Sequence, residues 1–182
     1  MSEVSERYGR VADGFSARLA GVPAGSWDQP SPCTEWTARD VAVHVINTHR
    51  RVAANLDGSQ AVEAAGGDDL RAEWEAAAAA VRAAVADPAR AQQTTSGMFG
   101  EQSFESLVSR LLCTDTLLHT WDLARATGQD EALDAEAVEK SFAFLAPLDE
   151  AIRRPGGFAP RIESAPDADA QTRLLNFCGR PA

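Results

Sequence analysis

Apolar residues recur at steps of three and four positions along most of the chain, and this period predicts a succession of helices. The first helix is predicted from about Val4 to Leu19, where the stripe comprises Val4, Tyr8, Val11, Phe15 and Leu19. Glycines and prolines between positions 21 and 32 then predict a long loop. Alternating strand-type patterns are nearly absent, so the pattern favours an all-α protein.

The second helix has the clearest predicted start. Thr37 is a good N-cap residue, and Asp40 stands where a capping box places its acid. An apolar stripe that begins with Val41 and Val45 follows, and Gly58 is the predicted stop. These signals predict a helix that begins just after Thr37.

Four more helices are predicted further along the chain. Their expected bounds are about Asp69 to Val85, Ser103 to Gly128, Asp134 to Leu145, and Asp169 to Cys178. The polar segment 92–100 is predicted to be a loop, with a short extended piece as an option. The expected architecture is an all-α four-helix bundle with additional short C-terminal helices.

The length predicts one domain. The 182 residues suffice for a full hydrophobic core, whereas the 35 or so residues after Pro147 are too few for a second one. We therefore expect a single domain over residues 1–182, with the tail from about 147 to 182 packed on it.

The net charge narrows the classes of partner. A formal charge of -10 and an isoelectric point near 4.7 argue against binding to nucleic acid or to an anionic membrane surface. No stretch approaches the roughly 18 apolar residues of a membrane span. Charges near the N-terminus, among them Glu3, Arg7 and Asp13, do not fit a signal peptide.

The chain has only three histidines, and helical geometry separates them. His44 lies on the apolar stripe of the second helix and should face the core. His49 is five positions later, about 140° further round the helix, so it cannot share a metal with His44 and is expected to face solvent or a loop. His119 follows Asp115 by four residues, which stacks both side chains on one face of the fourth helix.

Asp115 needs a partner, because an unpaired carboxylate on a core-facing stripe is costly. One such partner is a divalent metal held by His44, Asp115 and His119; an arginine, or His119 alone, is another. Two imidazoles and a carboxylate suit Zn, Ni, Fe or Mn and do not choose between them; we take Zn as the first choice. Three protein ligands leave room for water or substrate, as in catalytic zinc sites.

Four further residues are weaker candidates. Asp122, just past His119, is predicted either to orient a ligand imidazole or to lie at the surface or in a helix cap. Cys113 and Cys178 are expected in the core, and Cys33 is expected to pack in its loop, where a thiolate is the alternative. An odd number of cysteines without close spacing indicates a reducing compartment, which we take to be the cytoplasm.

Two segments resemble one known family. Residues 31–44, SPCTEWTARDVAVH, resemble the start of the second helix in the mycothiol-dependent maleylpyruvate isomerase N-terminal domain family, part of the DinB-like superfamily. Residues 115–128, DTLLHTWDLARATG, resemble the second signature of its actinobacterial metal-binding branch. The resemblance runs from about Tyr8 to Gly179 and implies a DinB-like four-helix bundle with a divalent metal near one end.

The resemblance also gives expectations for single residues. His44 and His119 match the family's two ligand histidines. Asp115 stands where the characterised isomerases have a glutamate, and this shorter acid is expected to shift the metal or to bind it through water. The isomerases carry a larger C-terminal domain than the residues after Pro147 can form, so maleylpyruvate isomerisation itself is not expected.

The expected function is that of a metal-dependent enzyme that uses a low-molecular-weight thiol. The resemblance implies mycothiol as the cosubstrate, in S-transfer to a small electrophile or in its isomerisation. The alternative is a metal-binding helical module that binds a ligand or a partner without catalysis. The resemblance is compatible with a homodimer, although no apolar stripe demonstrates one, and no residue identifies the electrophile or a catalytic acid or base.

Overall fold

Helices form most of the part of the chain that the computed structural model describes, residues 2–67, 69–97, 100–153 and 157–182. In chain order the elements are α1 (Glu3–Gly21), α2 (Ala38–Leu56), α3 (Leu70–Ala86), α4 (Pro88–Ala91), β1 (Thr94–Gly97), β2 (Gly100–Ser103), α5 (Phe104–Leu107), a π-helical turn (Val108–Leu112), α6 (Cys113–Thr127), α7 (Ala135–Leu145), a 3₁₀ turn (Ala146–Leu148), α8 (Asp149–Ile152) and α9 (Ala170–Phe177).

Four of these helices form the bundle. Helix α1 packs against α3 and α6, and α2 packs against the same two helices, so the four close into a ring. The described residues thus confirm the predicted all-α four-helix bundle. Among them, no helix is both long and apolar enough to cross a membrane.

The start of α2 fixes the position of the site residues on that helix. The Thr37 hydroxyl accepts from the Asp40 amide at 3.2 Å, and the Asp40 carboxylate accepts from the Thr37 amide at 2.8 Å. This is the predicted capping box, which satisfies two backbone donors that the first turn leaves unpaired. The helix therefore begins at Ala38, with His44 two turns further on.

The predicted fourth helix contains a π-helical turn that the apolar pattern did not reveal. Ser103 caps its start and Gly128, at φ 69°, ends it, as predicted. Between them, the turn Val108–Leu112 holds about one residue more than an α-helical turn. The extra residue rotates the chain, so that Leu112 is fully buried whereas its neighbour Leu111 is only half-buried.

A small antiparallel hairpin occupies most of the predicted loop at 92–100. Strands β1 and β2 pair from Thr94 with Ser103 to Gly97 with Gly100, so the short extended piece is present. Residues 98 and 99 of the predicted loop lie outside the described ranges. Ser103 ends β2 and its hydroxyl accepts from the Ser106 amide, so one residue both closes the hairpin and caps α5.

Two apolar clusters stabilise the structure. The first fills the bundle, and its largest side chains are Tyr8, Phe15, Ile46, Trp74, Phe104 and Leu112. The second joins the outer side of α6 to α7 and α9, and it includes Leu117, Leu118, Trp121, Val138, Leu174 and Leu175. Because both faces of α6 are buried, its side chains are held tightly. The C-terminal helices therefore pack directly behind the helix that carries Asp115 and His119.

Candidate metal centre

Three side chains from α2 and α6 converge at one point. His44 Nε2 lies 3.0 Å from Asp115 Oδ1, and His119 Nε2 lies 3.6 Å from the same oxygen. The two imidazole rings meet edge to face, with centroids 4.7 Å apart. The structure therefore brings together the three residues that the sequence singled out as ligands.

The charges at this point are strongly coupled. Burial alone would raise the pKa of Asp115, but His119 and His44 outweigh it through charge and hydrogen bonds, so the pKa is far below its usual range. Burial alone would lower the pKa of His119, and the Asp115 carboxylate reverses this and raises it well above the ordinary value. Asp115 is thus a carboxylate at neutral pH, with both imidazoles against it.

The donor set fits a divalent metal. Tetrahedral Zn²⁺ with bonds of about 2.0–2.1 Å separates its ligand atoms by roughly 3.3 Å, and the observed 3.0 and 3.6 Å lie on either side of that value. The other Asp115 oxygen, Oδ2, is buried without a hydrogen-bond partner among the described residues. A buried carboxylate oxygen with no donor is costly, and a cation between the three side chains would offset that cost. The predicted alternative, an ion pair between Asp115 and His119 alone, would leave Oδ2 buried without a donor.

Asp122 lies directly behind His119 and is fully buried. His119 Nδ1 donates to Asp122 Oδ2 at 2.8 Å. Of the roles predicted for Asp122, the structure therefore favours orienting an imidazole over a surface position or a helix cap. Burial would raise the Asp122 pKa, but Arg180 and His119 together lower it well below its usual range. With its Nδ1 proton directed at Asp122, His119 would offer the Nε2 lone pair to a metal on the side of Asp115 and His44, and the metal would displace the proton that the Asp115 carboxylate otherwise holds at Nε2.

Arg180 and Cys33 complete the surroundings of Asp122, and sequence reasoning missed the position of both. Arg180 donates from Nε to Oδ1 at 2.7 Å and from Nη2 to Oδ2 at 2.6 Å. The Cys33 thiol donates to Oδ2 at 3.2 Å. Cys33, His119 and Asp122 are also close enough to hold a metal, but the Arg180 guanidinium already neutralises that carboxylate and would repel a cation. Of the two groups, the one on the His44 side of His119 is therefore the better candidate for a metal.

A tight loop places Trp36 and Cys33 at the site. The Ser31 amide donates to the Trp36 carbonyl at 2.8 Å, and the Trp36 amide donates to the Cys33 carbonyl at 3.0 Å. Glu35 between them has a φ of 68°, which is unusual for a residue with a side chain. The Trp36 ring lies 4.8 Å from the His44 ring and 5.8 Å from the His119 ring. It therefore covers one side of the predicted ligands.

The predicted position of His49 is wrong. Its side chain is fully buried between Tyr8 and Trp74, with ring centroids 5.8 and 4.8 Å away. The angle on the helix does separate His49 from His44, but α1 and α3 enclose that face of α2 as well, so it is not a solvent-facing side. His49 Nδ1 donates to the Val45 carbonyl at 2.9 Å.

Comparisons with known proteins identify relatives of this chain. The model of the mycothiol maleylpyruvate isomerase N-terminal domain matches residues 8–124. Two uncharacterized proteins of Mycobacterium tuberculosis, from strains H37Rv and CDC 1551, are each 38% identical over 176 residues, with 94% of this chain and 94% of each relative covered. No solved structure gives a significant match. The chain belongs to the mycothiol maleylpyruvate isomerase N-terminal domain family.

Proposed function

We propose that this protein binds one divalent metal through His44, Asp115 and His119 and acts with a low-molecular-weight thiol on a small electrophile. The observation that supports it is the convergence of two imidazoles on one Asp115 oxygen, with the second oxygen of that carboxylate buried and lacking a partner among the described residues. The family's name suggests mycothiol as the thiol. Zinc is the first choice of metal, with Ni, Fe and Mn as alternatives.

The metal, when bound, would lower the pKa of a coordinated thiol and so supply a thiolate at neutral pH. The protein's own side chains have simpler tasks. Asp122 accepts a hydrogen bond from Nδ1–H of His119 and so fixes the orientation of that ring. Trp36 covers one side of both imidazoles and limits the access of water. In S-transfer, the thiolate sulfur would form a bond to a carbon of an electrophilic double bond, and the displaced electron pair would take a proton from water. In isomerisation, the sulfur would add in the same way and then leave, and the displaced electron pair would re-form the double bond.

The proposed reaction indicates the cell compartment in which the protein acts and the small molecules that it binds. A reduced thiol cosubstrate is abundant in the cytoplasm, where cysteines also stay reduced. Cys33, Cys113 and Cys178 are all free thiols in the structure. We accordingly propose a cytoplasmic protein whose partners are a small-molecule thiol and an electrophile.

A second candidate is a metal-binding module that binds a ligand without catalysis. The hydrogen bonds of Asp122 favour this second candidate. Arg180 and His119 donate to both carboxylate oxygens, so this group takes no part in proton transfer. Thermal melting with and without a chelator, run beside a screen of mycothiol with electrophiles, separates the two. A large loss of stability without any thiol reactivity would favour the module.

Metal analysis of the purified protein tests the site itself. We expect about one metal per chain in the unmodified protein, and a loss of affinity of more than about 100-fold in His44→Ala and in His119→Ala. Removing a group that merely supports a ligand already costs about 10–100-fold. His49→Phe is the matched control, because His49 lies on the same helix and contacts Tyr8 and Trp74 instead. Equal metal content in all four proteins would contradict the proposal.

A further inference from the structure

Asp122 accepts hydrogen bonds from both Arg180 and His119, although the charge of Arg180 alone would neutralise its carboxylate. Both of its oxygens accept from the Arg180 fork, at 2.7 and 2.6 Å, and Oδ2 also accepts from His119 Nδ1 at 2.8 Å. Asp122 is fully buried and Arg180 is 6% exposed. A planar fork that binds both oxygens fixes the plane of the carboxylate as well as its charge.

The backbone after α9 directs Arg180 to this position. The Gly179 amide donates to the Asn176 carbonyl at 3.0 Å, and the Arg180 amide donates to the Leu175 carbonyl at 2.9 Å. This pair of bonds is a Schellman motif, which requires the left-handed conformation that Gly179 adopts at φ 75°. The turn reverses the chain at the end of α9, and the Arg180 side chain then enters the space behind α6.

We propose that Arg180 is a positioning residue for the metal ligand His119 and acts through Asp122. The guanidinium holds the carboxylate in one plane, Oδ2 then faces His119 Nδ1, and the imidazole presents Nε2 to Asp115 and His44. This inference rests on the proposed metal site. It extends the site from the two bundle helices to the C-terminal segment, beyond the residues 8–124 that the family model covers.

Arg180 has a structural alternative, which is to anchor the C-terminal segment. Arg153 anchors the same segment without touching the site: its guanidinium donates to the Phe177 carbonyl at 2.8 Å and to the Ala159 carbonyl at 2.5 Å. It also donates to Asp149 at 2.6 Å. Arg153→Ala is therefore the matched control, because it loosens the tail and leaves Asp122 fully hydrogen-bonded.

The experiment measures Co²⁺ binding by the full chain, with Co²⁺ alone as the probe. The proteins are the unmodified chain, Arg180→Ala, Arg180→Lys and Arg153→Ala. Affinity comes from competition with a chelator, and the visible absorption bands of bound Co²⁺ report the geometry of its ligands. We expect both Arg180 variants to bind Co²⁺ about tenfold or more weakly and with altered bands, since lysine keeps the charge but lacks the fork. Arg153→Ala should match the unmodified protein in both readouts.

Three results would overturn the inference. Unchanged affinity and bands in Arg180→Ala would show that Arg180 does not act on His119. Full recovery in Arg180→Lys would show that charge alone suffices, and an equal loss in Arg153→Ala would show that docking of the tail is responsible. If Arg180→Ala does not fold, the lysine variant decides. A failure of the unmodified protein to bind Co²⁺ refutes the proposed metal site itself, and with it this inference, whereas the other results leave the site standing.

Discussion

His49 is a buried titratable group that lies outside the candidate site. Burial is the main reason why its pKa falls to about 4, from the ordinary value near 6.5. The folded protein therefore keeps His49 neutral at pH values where the unfolded chain is protonated. Stability from this residue is complete above about pH 6.5 and is lost as the pH falls from there towards 4.

We expect His49→Phe to flatten this part of the pH dependence. A shift of that size corresponds to about 3 kcal/mol of unfolding free energy between neutral pH and pH 4. His49 Nε2 has no hydrogen-bond partner in the described part of the chain, so an apolar ring between Tyr8 and Trp74 should be tolerated at pH 7.5. Urea unfolding of both proteins, with chelator present throughout, measures the difference. If the free energies of unfolding of the two proteins fell in parallel from pH 7.5 to 4.5, His49 would not be the source of this pH dependence.

The residues of the candidate site differ in how far the sequence reveals them. Asp115 and His119 are four apart on one helix, and His44 lies on a core-facing stripe, so local periodicity makes each a candidate, and the resemblance to a metal-binding family groups them. Arg180 meets Asp122 from 58 positions away, through a turn after a short helix. Cys33 reaches the same carboxylate from a loop that has no period. Local spacing carries no information about either contact, because tertiary packing creates both.

The turn after α9 leaves little space for a side chain at Gly179. Gly179 has a φ of 75°, and a Cβ added there would lie 2.7 Å from the Ala159 Cβ and 2.9 Å from two carbonyl oxygens. We expect Gly179→Ala to lower the free energy of unfolding by more than 2 kcal/mol or so, since the left-handed conformation alone costs about 1–2 kcal/mol and the backbone contacts add to it. Urea unfolding of the metal-free protein measures the loss.

Gly58→Ala provides the comparison. Gly58 also has a positive φ, 62°, but an added Cβ would meet nothing within 4 Å. Gly58→Ala should therefore lower the free energy of unfolding only by the conformational cost, about 1–2 kcal/mol. If Gly179→Ala lowers the free energy of unfolding no more than Gly58→Ala does, the close approach of Ala159 and Pro160 does not exclude a side chain at position 179.

Capped helices were predicted more closely than irregular ones. Thr37, Asp69, Asp134 and Asp169 were all placed at or next to predicted helix starts, and each is the N-cap in the structure. The π-helical turn was missed because an inserted residue shifts the apolar stripe without interrupting it. There, Arg7 donates to Ser109 at 2.7 Å, a contact between helices that no single-helix pattern contains.

On the scale of the whole molecule, charge governs the encounter with a cation. The chain carries 27 acidic and 17 basic residues, a net charge of -10, which attracts divalent metal at long range. We expect the association rate constant for Co²⁺ to fall several-fold between about 10 and 300 mM NaCl, because the screening length shortens from roughly 30 Å to less than 10 Å. Stopped-flow absorbance measures it. The dissociation rate serves as the internal control, and an association rate independent of salt would contradict the prediction.

The layout of the molecule was predictable to the extent that it is built from amphipathic helices. The sequence predicted the bundle and short C-terminal helices, because each carries its own apolar stripe. The second apolar cluster was not foreseen in detail: Leu117, Leu118 and Trp121 lie on the side of α6 that faces α7 and α9. A helix that is buried on two sides has no polar face to show which side faces the bundle.

The distance along the chain between Asp122 and Arg180 also sets an order in time. A ribosome that adds about 5–20 residues per second reaches position 180 roughly 3–12 s after position 122, 58 residues earlier. During that interval the nascent chain holds every proposed ligand but not the guanidinium that aligns Asp122. Under the proposed role of Arg180, binding of metal by an oriented His119 would therefore have to follow synthesis of the turn after α9.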